Sequence, residues 1–204
     1  MRVLVACEHS GIVREAFRRA GHDAWSCDLL PAPGHHIQGD VLRLITGVSG
    51  AMTGPWDLMI AHPPCTYLSA SGMHWTTRGF RPKSKTEEAL DFVVDLMNAD
   101  IERICIENPI GVIGTRIRPA DQWIQPYEFG EDASKKTGMW LKTLPLLEPT
   151  EYVAPRMVNG KPRWANQTDS GQNRLGPSKD RWAKRSQTYV GVANAMAEQW
   201  GNLP

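Results

Sequence analysis

The sequence predicts an α/β fold built on a largely parallel β-sheet, and two patterns carry that prediction. Short continuous apolar runs, such as Arg2–Ala6 and Asp57–Ala61, are typical of strands covered on both faces. Helical patterns alternate with these runs: the segment between Gly11 and Gly21 has one apolar face, and so has Thr86–Ala99. Such alternation favours parallel strands joined by crossover helices. At 204 residues, the chain fits a single domain spanning residues 1–204.

The remaining elements continue this alternation and become less regular after Thr115. Thr86 is the predicted N-cap of its helix, because a threonine hydroxyl can accept a hydrogen bond from the first turn. Residues 150–186 are polar, basic and rich in Gly and Pro, so we expect a short irregular insertion there. The other predictions are strands at Asp23–Cys27, His36–Gln38, Ile101–Ile106, Trp123–Phe129 and Met139–Leu144, helices at Val41–Ile45 and Tyr189–Trp200, and loops at Gly47–Pro55 and Ser69–Lys85.

Composition and charge indicate a globular protein of the reducing cytoplasm. The four cysteines show no CxxC spacing, so neither a metal site nor a disulfide framework is predicted. No apolar stretch has the length of a membrane span, and no signal sequence is recognised. The net charge is only +1, yet eleven Lys and Arg face four acids between Lys135 and Arg185. This asymmetry suits a polyanionic partner, although a solvated surface is the commoner meaning.

Polar residues follow five of the predicted strands at the points where the strands end. In a doubly wound sheet, ligands bind beyond the carboxyl ends of the strands. One strand-end acid often serves only to cap a helix, but five coinciding strand ends favour a functional site. The residues concerned are the segment Cys7–Gly11, Asp28, Asp40, Cys65 and Glu107.

Two of these acids suit a nucleoside-shaped ligand. Asp28, at the end of the second strand, could accept hydrogen bonds from ribose hydroxyls, and Asp40 could accept one from an exocyclic amine. The first turn holds one well-placed glycine, Gly11, so the dinucleotide pattern GxGxxG is absent. We therefore expect a nucleoside ligand bound without close pyrophosphate contact.

Several motifs resemble those of the DNA cytosine-5 methyltransferases, in particular the compact members carried by phages and prophages. HPPCTYLSASG (62–72) looks like the Pro-Cys nucleophile motif of that family, and ICIENP (104–109) is similar to its Glu-Asn motif. Weaker likenesses are VACEHSGIVREAF (5–17), GDVL (39–42) and the terminal SQTYVGVANAMAEQW (186–200). The resemblance covers most of residues 3–115 and the C-terminal helix. It implies the Rossmann-like fold of class I S-adenosylmethionine-dependent methyltransferases, with helices on both faces of the sheet.

The resemblance also implies S-adenosylmethionine as cofactor, DNA as partner and a role for each matching residue. Cys65 would be the nucleophile and Glu107 would hold the cytosine ring. An arginine of the family has no clear copy here; Lys136 is the preferred replacement, and Lys135 and Arg116 are the other candidates. Cofactor contacts fall on Cys7, Glu8, Ser10, Gly11, Asp28, Leu29, Asp40, Val41, His62, Pro63 and Asn194, and substrate contacts on Pro64, Ser69, Ser71, Asn108 and Pro109. Because residues 150–186 stand where the family has a full target-recognition domain, we expect single-stranded DNA or low sequence specificity.

The implied chemistry needs these residue types. Carbon 5 of cytosine becomes nucleophilic enough only after a thiolate, here that of Cys65, has added to carbon 6. Glu107 would donate a proton or a strong hydrogen bond to nitrogen 3, so we expect a dry pocket that raises the pKa of Glu107. The base must leave its stack to reach Cys65, and the Ser69–Lys85 loop, with His74 and Trp75, could close over it.

Three other functions stay open from the sequence. An amino-methyltransferase acting on adenine or cytosine would share the Pro-Pro of His62–Cys65, although an aromatic residue would then be expected in place of the cysteine. An enzyme acting on free dCMP would need no recognition domain. A catalytically silent DNA-binding relative would keep the fold without the reaction.

Overall fold

A computed structural model of the protein describes residues 1–47 and 55–203. Within these residues, seven strands form the main sheet: β1 (Arg2–Ala6), β2 (Asp23–Asp28), β3 (His36–Gln38), β4 (Leu58–Ala61), β5 (Arg103–Pro109), β6 (Gln122–Ile124) and β7 (Thr137–Lys142). Their order across the sheet is β3-β2-β1-β4-β5-β7-β6. The first five in this order are parallel, and β7 is antiparallel to both of its neighbours. The predicted α/β fold with a largely parallel sheet is confirmed.

Helices cover both faces of this sheet. They are α1 (Ile12–Arg19), α2 (Val41–Ile45), α3 (Ala70–Thr77), α4 (Ser84–Met97), α5 (Ile113–Arg116), α6 (Arg181–Ser186) and α7 (Val190–Trp200). Strand side chains alternate between the faces, so Val3 and Val5 join the core beneath α1 and α7, whereas Leu4 and Ala6 join the core beneath α2 and α4. The prediction of helices on both faces is confirmed.

The segment predicted as the Ser69–Lys85 loop contains a helix, so that prediction was wrong. The Ser69 hydroxyl accepts from the Gly72 N–H at 3.2 Å and caps α3. The sequence of α3, ASGMHWTT, has no continuous apolar face, which explains why periodicity did not reveal it. The N-cap prediction for Thr86 was also wrong, because α4 begins at Ser84 and Thr86 is buried within its first turn.

The later strands differ in extent from their predictions. The fifth strand was expected to end at Ile106, but pairing with β7 continues it through Pro109. The strand expected at Trp123–Phe129 is reduced to β6, and a short 3₁₀ helix at Pro126–Glu128 follows it. Proline lacks the N–H that would continue the ladder, which accounts for the early end of β6.

The basic insertion, residues 150–186, is more regular than expected. It contains a hairpin of β8 (Arg156–Val158) and β9 (Lys161–Arg163), followed by α6. Asn159 and Gly160 join the two strands with φ values of 51° and 73°, the left-handed pair that a tight hairpin turn requires. Trp164 stacks on Tyr127 with ring centroids 4.1 Å apart and anchors the insertion to the 3₁₀ helix that follows β6.

The loop predicted at Gly47–Pro55 falls mostly outside the described residues. No helix within residues 1–47 and 55–203 is both long and apolar enough to cross a membrane.

Candidate active site

The carboxyl ends of β1, β4 and β5 lie side by side at one edge of the sheet. Ala6 pairs with Ala61, and Ala61 pairs with Ile106, so the next residue of each strand lies at the same level. Between β1 and β4 the chain changes direction across the sheet, which is the position where ligands bind in doubly wound folds. The register therefore brings Cys7, His62 and Glu107 to one edge.

Glu8 completes the first turn of α1. Its carboxylate accepts from the N–H of Val13 at 2.7 Å and of Arg14 at 3.2 Å, and the Ser10 hydroxyl donates to it at 3.2 Å. A buried acid that satisfies the free N–H groups of a helix stabilises that end of the helix. The structure gives Glu8 and Ser10 this capping role, and their predicted cofactor contacts stay predictions.

Gly11 is required by its backbone and by its neighbour Arg14. Its φ is 74°, and a Cβ at this position would collide with the guanidinium of Arg14. Arg14 is buried and donates to the Ser26 hydroxyl at 2.9 Å, while Ser26 shares a 2.8 Å hydrogen bond with His36. The sequence pattern did not reveal Arg14, because nothing but its place between the buried residues Val13 and Phe17 pointed to it.

Cys7 is half-buried in an acidic part of this edge. Burial, then the charge of Asp28, then Cys27 and Asp40 raise the pKa of the Cys7 thiol well above its usual range. Cys7 also has a φ of 59°, which is uncommon for a residue with a side chain. The thiol is therefore held neutral, and the two predicted cofactor acids are close enough to act on it.

Both of those acids also serve the backbone. The Oδ1 of Asp28 accepts from Leu30 N at 2.9 Å, and the Oδ1 of Asp40 accepts from Leu42 N at 2.9 Å and caps α2. A carboxylate has a second acceptor oxygen, so each residue keeps an oxygen that can accept a hydrogen bond from a ligand. The next residue after each acid was also predicted to contact the cofactor. These two residues differ in exposure, because Leu29 is 72% exposed and Val41 is buried.

Cys65 stands at the opposite extreme from Cys7. After β4 ends at Ala61, Pro63 and Pro64 turn the chain, and Cys65 begins a short 3₁₀ helix with its side chain exposed. Asn108 of β5 is 99% buried and holds this turn by donating to the Pro63 carbonyl at 2.7 Å. The Oδ1 of Asn108 is buried and has no protein partner. The turn is thus fixed from the neighbouring strand while its thiol stays accessible.

His62 and Glu107 form a buried pair. Nδ1 of His62 lies 2.9 Å from Oε2 of Glu107, and the side chains are only 9% and 11% exposed. Nε2 of His62 is buried and has no hydrogen-bond partner among the described residues. The structure pairs His62 with Glu107 because β4 and β5 are adjacent and in register, and the predicted cofactor contact of His62 stays a prediction.

The pKa of Glu107 is lowered, contrary to the expectation of a raised value. Burial is the largest single influence and raises this pKa, but the hydrogen bond from His62, the charge of Lys135 and a hydrogen bond from Thr137 together outweigh it. Glu107 is buried, yet the charges and hydrogen bonds around it favour the carboxylate. Glu107 is therefore ionised at neutral pH.

The cation beside Glu107 is Lys135 rather than Lys136. Lys136 points elsewhere, with its Nζ 5.2 Å from the ring centroid of Trp123. Lys135 acts on Glu107 electrostatically and lines a cavity of about 20 Å³ next to it. Side chains alternate along an extended segment, so a shift of one residue decides which lysine faces the site. The role of Lys136 stays a prediction, and Lys135, another of the candidates, is the lysine whose charge acts on Glu107.

The other predicted contacts are spread around this edge. Ser69 caps α3 and its hydroxyl lies 3.2 Å from that of Ser71, Pro64 is exposed, and Pro109 ends β5 paired with Thr137. Asn194 of α7 accepts from Arg19 of α1 at 3.1 Å. Asn194 thus joins two helices, and its predicted cofactor contact stays a prediction.

An exposed aromatic and basic surface adjoins the Cys65 turn. Arg81 donates to the Thr66 carbonyl at 2.9 Å and lies over the ring of Tyr67, 5.3 Å from its centroid. Trp75 and Phe80 meet edge to face at 5.7 Å and are 47% and 70% exposed. This surface was predicted as a loop that could close over a base; the structure builds it on α3.

No group of three or more His, Cys, Asp and Glu residues in the described ranges is arranged to hold a metal ion.

Comparisons with known proteins agree with this architecture. No family model and no curated protein matches the sequence. Among solved structures, the chain is similar to a protein of E. coli described as a prophage-encoded DNA modification methyltransferase, with 17% identity, 78% of this chain and 53% of that chain covered, and a TM-score of 0.51. It is also similar to the Entamoeba histolytica methyltransferase EhMeth, with 14% identity, 76% and 58% covered, and a TM-score of 0.50.

The fold is that of class I S-adenosylmethionine-dependent methyltransferases. The predicted Rossmann-like fold class is thereby confirmed. The chain spans a little over half the length of each of these two proteins, and at such low identities the likeness concerns the fold alone.

Proposed function

We propose that the protein transfers a methyl group from S-adenosylmethionine to carbon 5 of cytosine in DNA through a covalent adduct on Cys65. The observation that carries this proposal is an exposed thiol, Cys65, in the turn that follows β4, together with a buried carboxyl group, Glu107, on the adjacent strand β5. The reaction requires a nucleophile at carbon 6 and an acid or hydrogen-bonding group at nitrogen 3 of one ring. Cys65 supplies the nucleophile, and Glu107 supplies the second group once it carries a proton.

Cys65 and Glu107 each contribute one part of the activation of the cytosine ring. The thiolate sulfur of Cys65 forms a bond to carbon 6, and the electron pair of the 5,6 double bond moves into the ring and makes carbon 5 nucleophilic. Glu107 holds nitrogen 3 and the exocyclic amine, so that the charge that builds there is neutralised. Because the Cys65 turn is fastened through Asn108, the thiol keeps its place relative to Glu107.

The acidic half of the same edge fits the cofactor. S-adenosylmethionine, when bound, supplies an electrophilic methyl group. Asp28 and Asp40 lie near Cys7, follow β2 and β3, and each has a second carboxylate oxygen for a ribose hydroxyl or an adenine amine. The buried, unpartnered Oδ1 of Asn108 is a further acceptor at this edge.

DNA is the proposed substrate because of the surface on α3. Exposed aromatic rings stack with unpaired bases of any sequence, and adjacent cations attract the backbone. Trp75 and Phe80 supply the rings and Arg81 the cation, beside the turn that carries Cys65. Residues 150–186 replace a full target-recognition domain, which favours single-stranded DNA or low sequence specificity.

Transfer of tritiated methyl groups tests the proposal. The wild type should label single- and double-stranded DNA that contains cytosine, and Cys65→Ala should not. Equal labelling by both proteins would overturn the mechanism.

Trapping on 5-fluorocytosine DNA separates the cysteine mechanism from amino methylation. Only attack by a thiolate leaves a stable protein–DNA adduct, which Cys65→Ser should abolish. Labelling of DNA without an adduct would favour an amino-methyltransferase. Labelling of dCMP but not of oligonucleotides would instead establish an enzyme of free nucleotides, an alternative that the short insertion leaves open.

A further inference from the structure

The proposed reaction needs one acid, Glu107, but the structure pairs this acid with a buried histidine, His62. Glu107 touches the ring in the proposed mechanism, whereas His62 reaches only Glu107, through Nδ1 at 2.9 Å. A histidine that is 91% buried with an unpartnered Nε2 is costly to keep for packing alone. Its position next to Glu107 indicates a role for His62 in the chemistry of that acid.

Glu107 as it stands lacks the proton that its proposed role requires. The groups that face it are His62 from β4, Lys135 before β7, Thr137 at the start of β7, and Tyr189, which lines the adjoining cavity at the start of α7. Lys135 and the two hydrogen bonds favour the carboxylate. Nitrogen 3 of cytosine, however, must receive a proton or a strong hydrogen bond when the thiolate adds to carbon 6. The proton must come from a neighbour.

We propose that His62 is a positioning residue that stores this proton and passes it to the ring through Glu107. The inference rests on the proposed function of the site. Histidine is the side chain whose ordinary charge change falls between pH 5 and 8, so it can hold a proton that glutamate cannot keep. Because β4 and β5 are adjacent and in register, the two side chains are held at hydrogen-bonding distance.

The proton movements balance over one turnover. As the Cys65–carbon 6 bond forms, the proton on Nδ1 of His62 moves to Oε2 of Glu107, and Glu107 protonates nitrogen 3; the imidazolium becomes neutral imidazole. When carbon 5 has lost its own proton to solvent and Cys65 leaves as thiolate, the proton on nitrogen 3 returns through Glu107 to His62. The pair ends as it began, and the net proton released is the one from carbon 5.

Kinetics of His62→Asn test the inference. Asparagine places an N–H where Nδ1 stood, so it can keep the hydrogen bond to Glu107 but cannot deliver a proton. We expect kcat for methyl transfer to fall by about 100-fold near pH 6. The ratio of wild-type to variant kcat should shrink as the pH rises to 8.5, because the proposed role needs a protonated imidazole. A ratio that is constant with pH would reduce His62 to a structural role and overturn the inference.

His22→Asn is the matched control. His22 also has a buried, unpartnered Nε2, but it packs against Phe17 and Gly201 at the opposite edge of the sheet. Its loss should leave the pH dependence of kcat unchanged, whatever it does to the melting temperature. The same pH-dependent loss in His22→Asn would also contradict the inference.

A titration without cofactor or DNA keeps this test separate from the proposed function. ¹⁵N shifts of the His62 ring follow its protonation in the full chain, and Glu107→Gln should move the midpoint to lower pH because the stabilising carboxylate is gone. An unchanged midpoint would show that the two groups share no proton. A shifted midpoint in a protein that labels no DNA would uphold the proton pair and reject the methyl-transfer proposal.

Discussion

The two halves of the carboxyl edge treat the same chemical groups in opposite ways. Beside β1, β2 and β3, a half-buried thiol, Cys7, lies near acids that raise its pKa. Beside β4 and β5, the thiol of Cys65 is exposed, and a buried acid, Glu107, lies among groups that lower its pKa. Both cysteines follow a strand directly or after a short turn. The difference teaches that the strand end provides the position, whereas the charges around it decide the chemistry.

The largest contrast between the halves should appear in activity. Cys65→Ala should lower methyl transfer by more than about 1000-fold, because it removes the nucleophile. Cys7→Ser should lower it by less than about tenfold, since Cys7 contributes only a neutral group near the cofactor acids. Steady-state rates with S-adenosylmethionine and DNA measure both, and a reversed order would break the comparison.

Alkylation of the folded protein compares the same thiols without substrate. Cys65 should react with iodoacetamide at least roughly 100-fold faster than Cys7, because reaction needs an accessible thiolate. Intact mass should show a single adduct, and peptide mapping should place it on Cys65. Cys65→Ala provides the control. Two adducts formed at similar rates would mean that the acidic half does not protect Cys7.

Acid titration sharpens the account of Glu107. The folded-state pKa of Glu107 lies below its ordinary value of 4.5, so the ionised group stabilises the fold above that pH, and the contribution is lost as pH falls through the folded-state value. Urea unfolding should show Glu107→Gln less stable than the wild type at pH 7, with the gap narrowing below pH 4.5. A gap that does not change with pH would exclude an ionised Glu107.

Alkaline titration gives the smallest expected effect and tests the acidic half. Burial, followed by the charges of Asp28 and Asp40, raises the pKa of Cys27 from 9.0 to about 11. The unfolded chain therefore releases this proton first, and the wild type should lose stability as pH rises from 9 to 11. Cys27→Ala should remove part of that loss in urea unfolding. An identical pH dependence in both proteins would contradict the assigned environment.

Much of the fold was predictable because its elements obey local rules. The apolar run of β1 and the apolar face of α4 are visible in the sequence, and both elements form within two residues of their predicted limits. Helix α3 was missed because its stability depends on the Ser69 cap and on close packing: a Cβ on Gly72 would collide with the Thr66 carbonyl. Sequence periodicity carries no trace of such contacts.

The sequence by itself determined the strands, the sheet edge and the residue types gathered there, including Cys65 after its two prolines. Only the tertiary structure decided the partners: His62 with Glu107 across 45 residues, Lys135 rather than Lys136 beside them, and the capping role of Glu8. The physical reason is range. Backbone propensity and side-chain periodicity act within a few residues, whereas burial and charge act between strands that meet only after the sheet has formed.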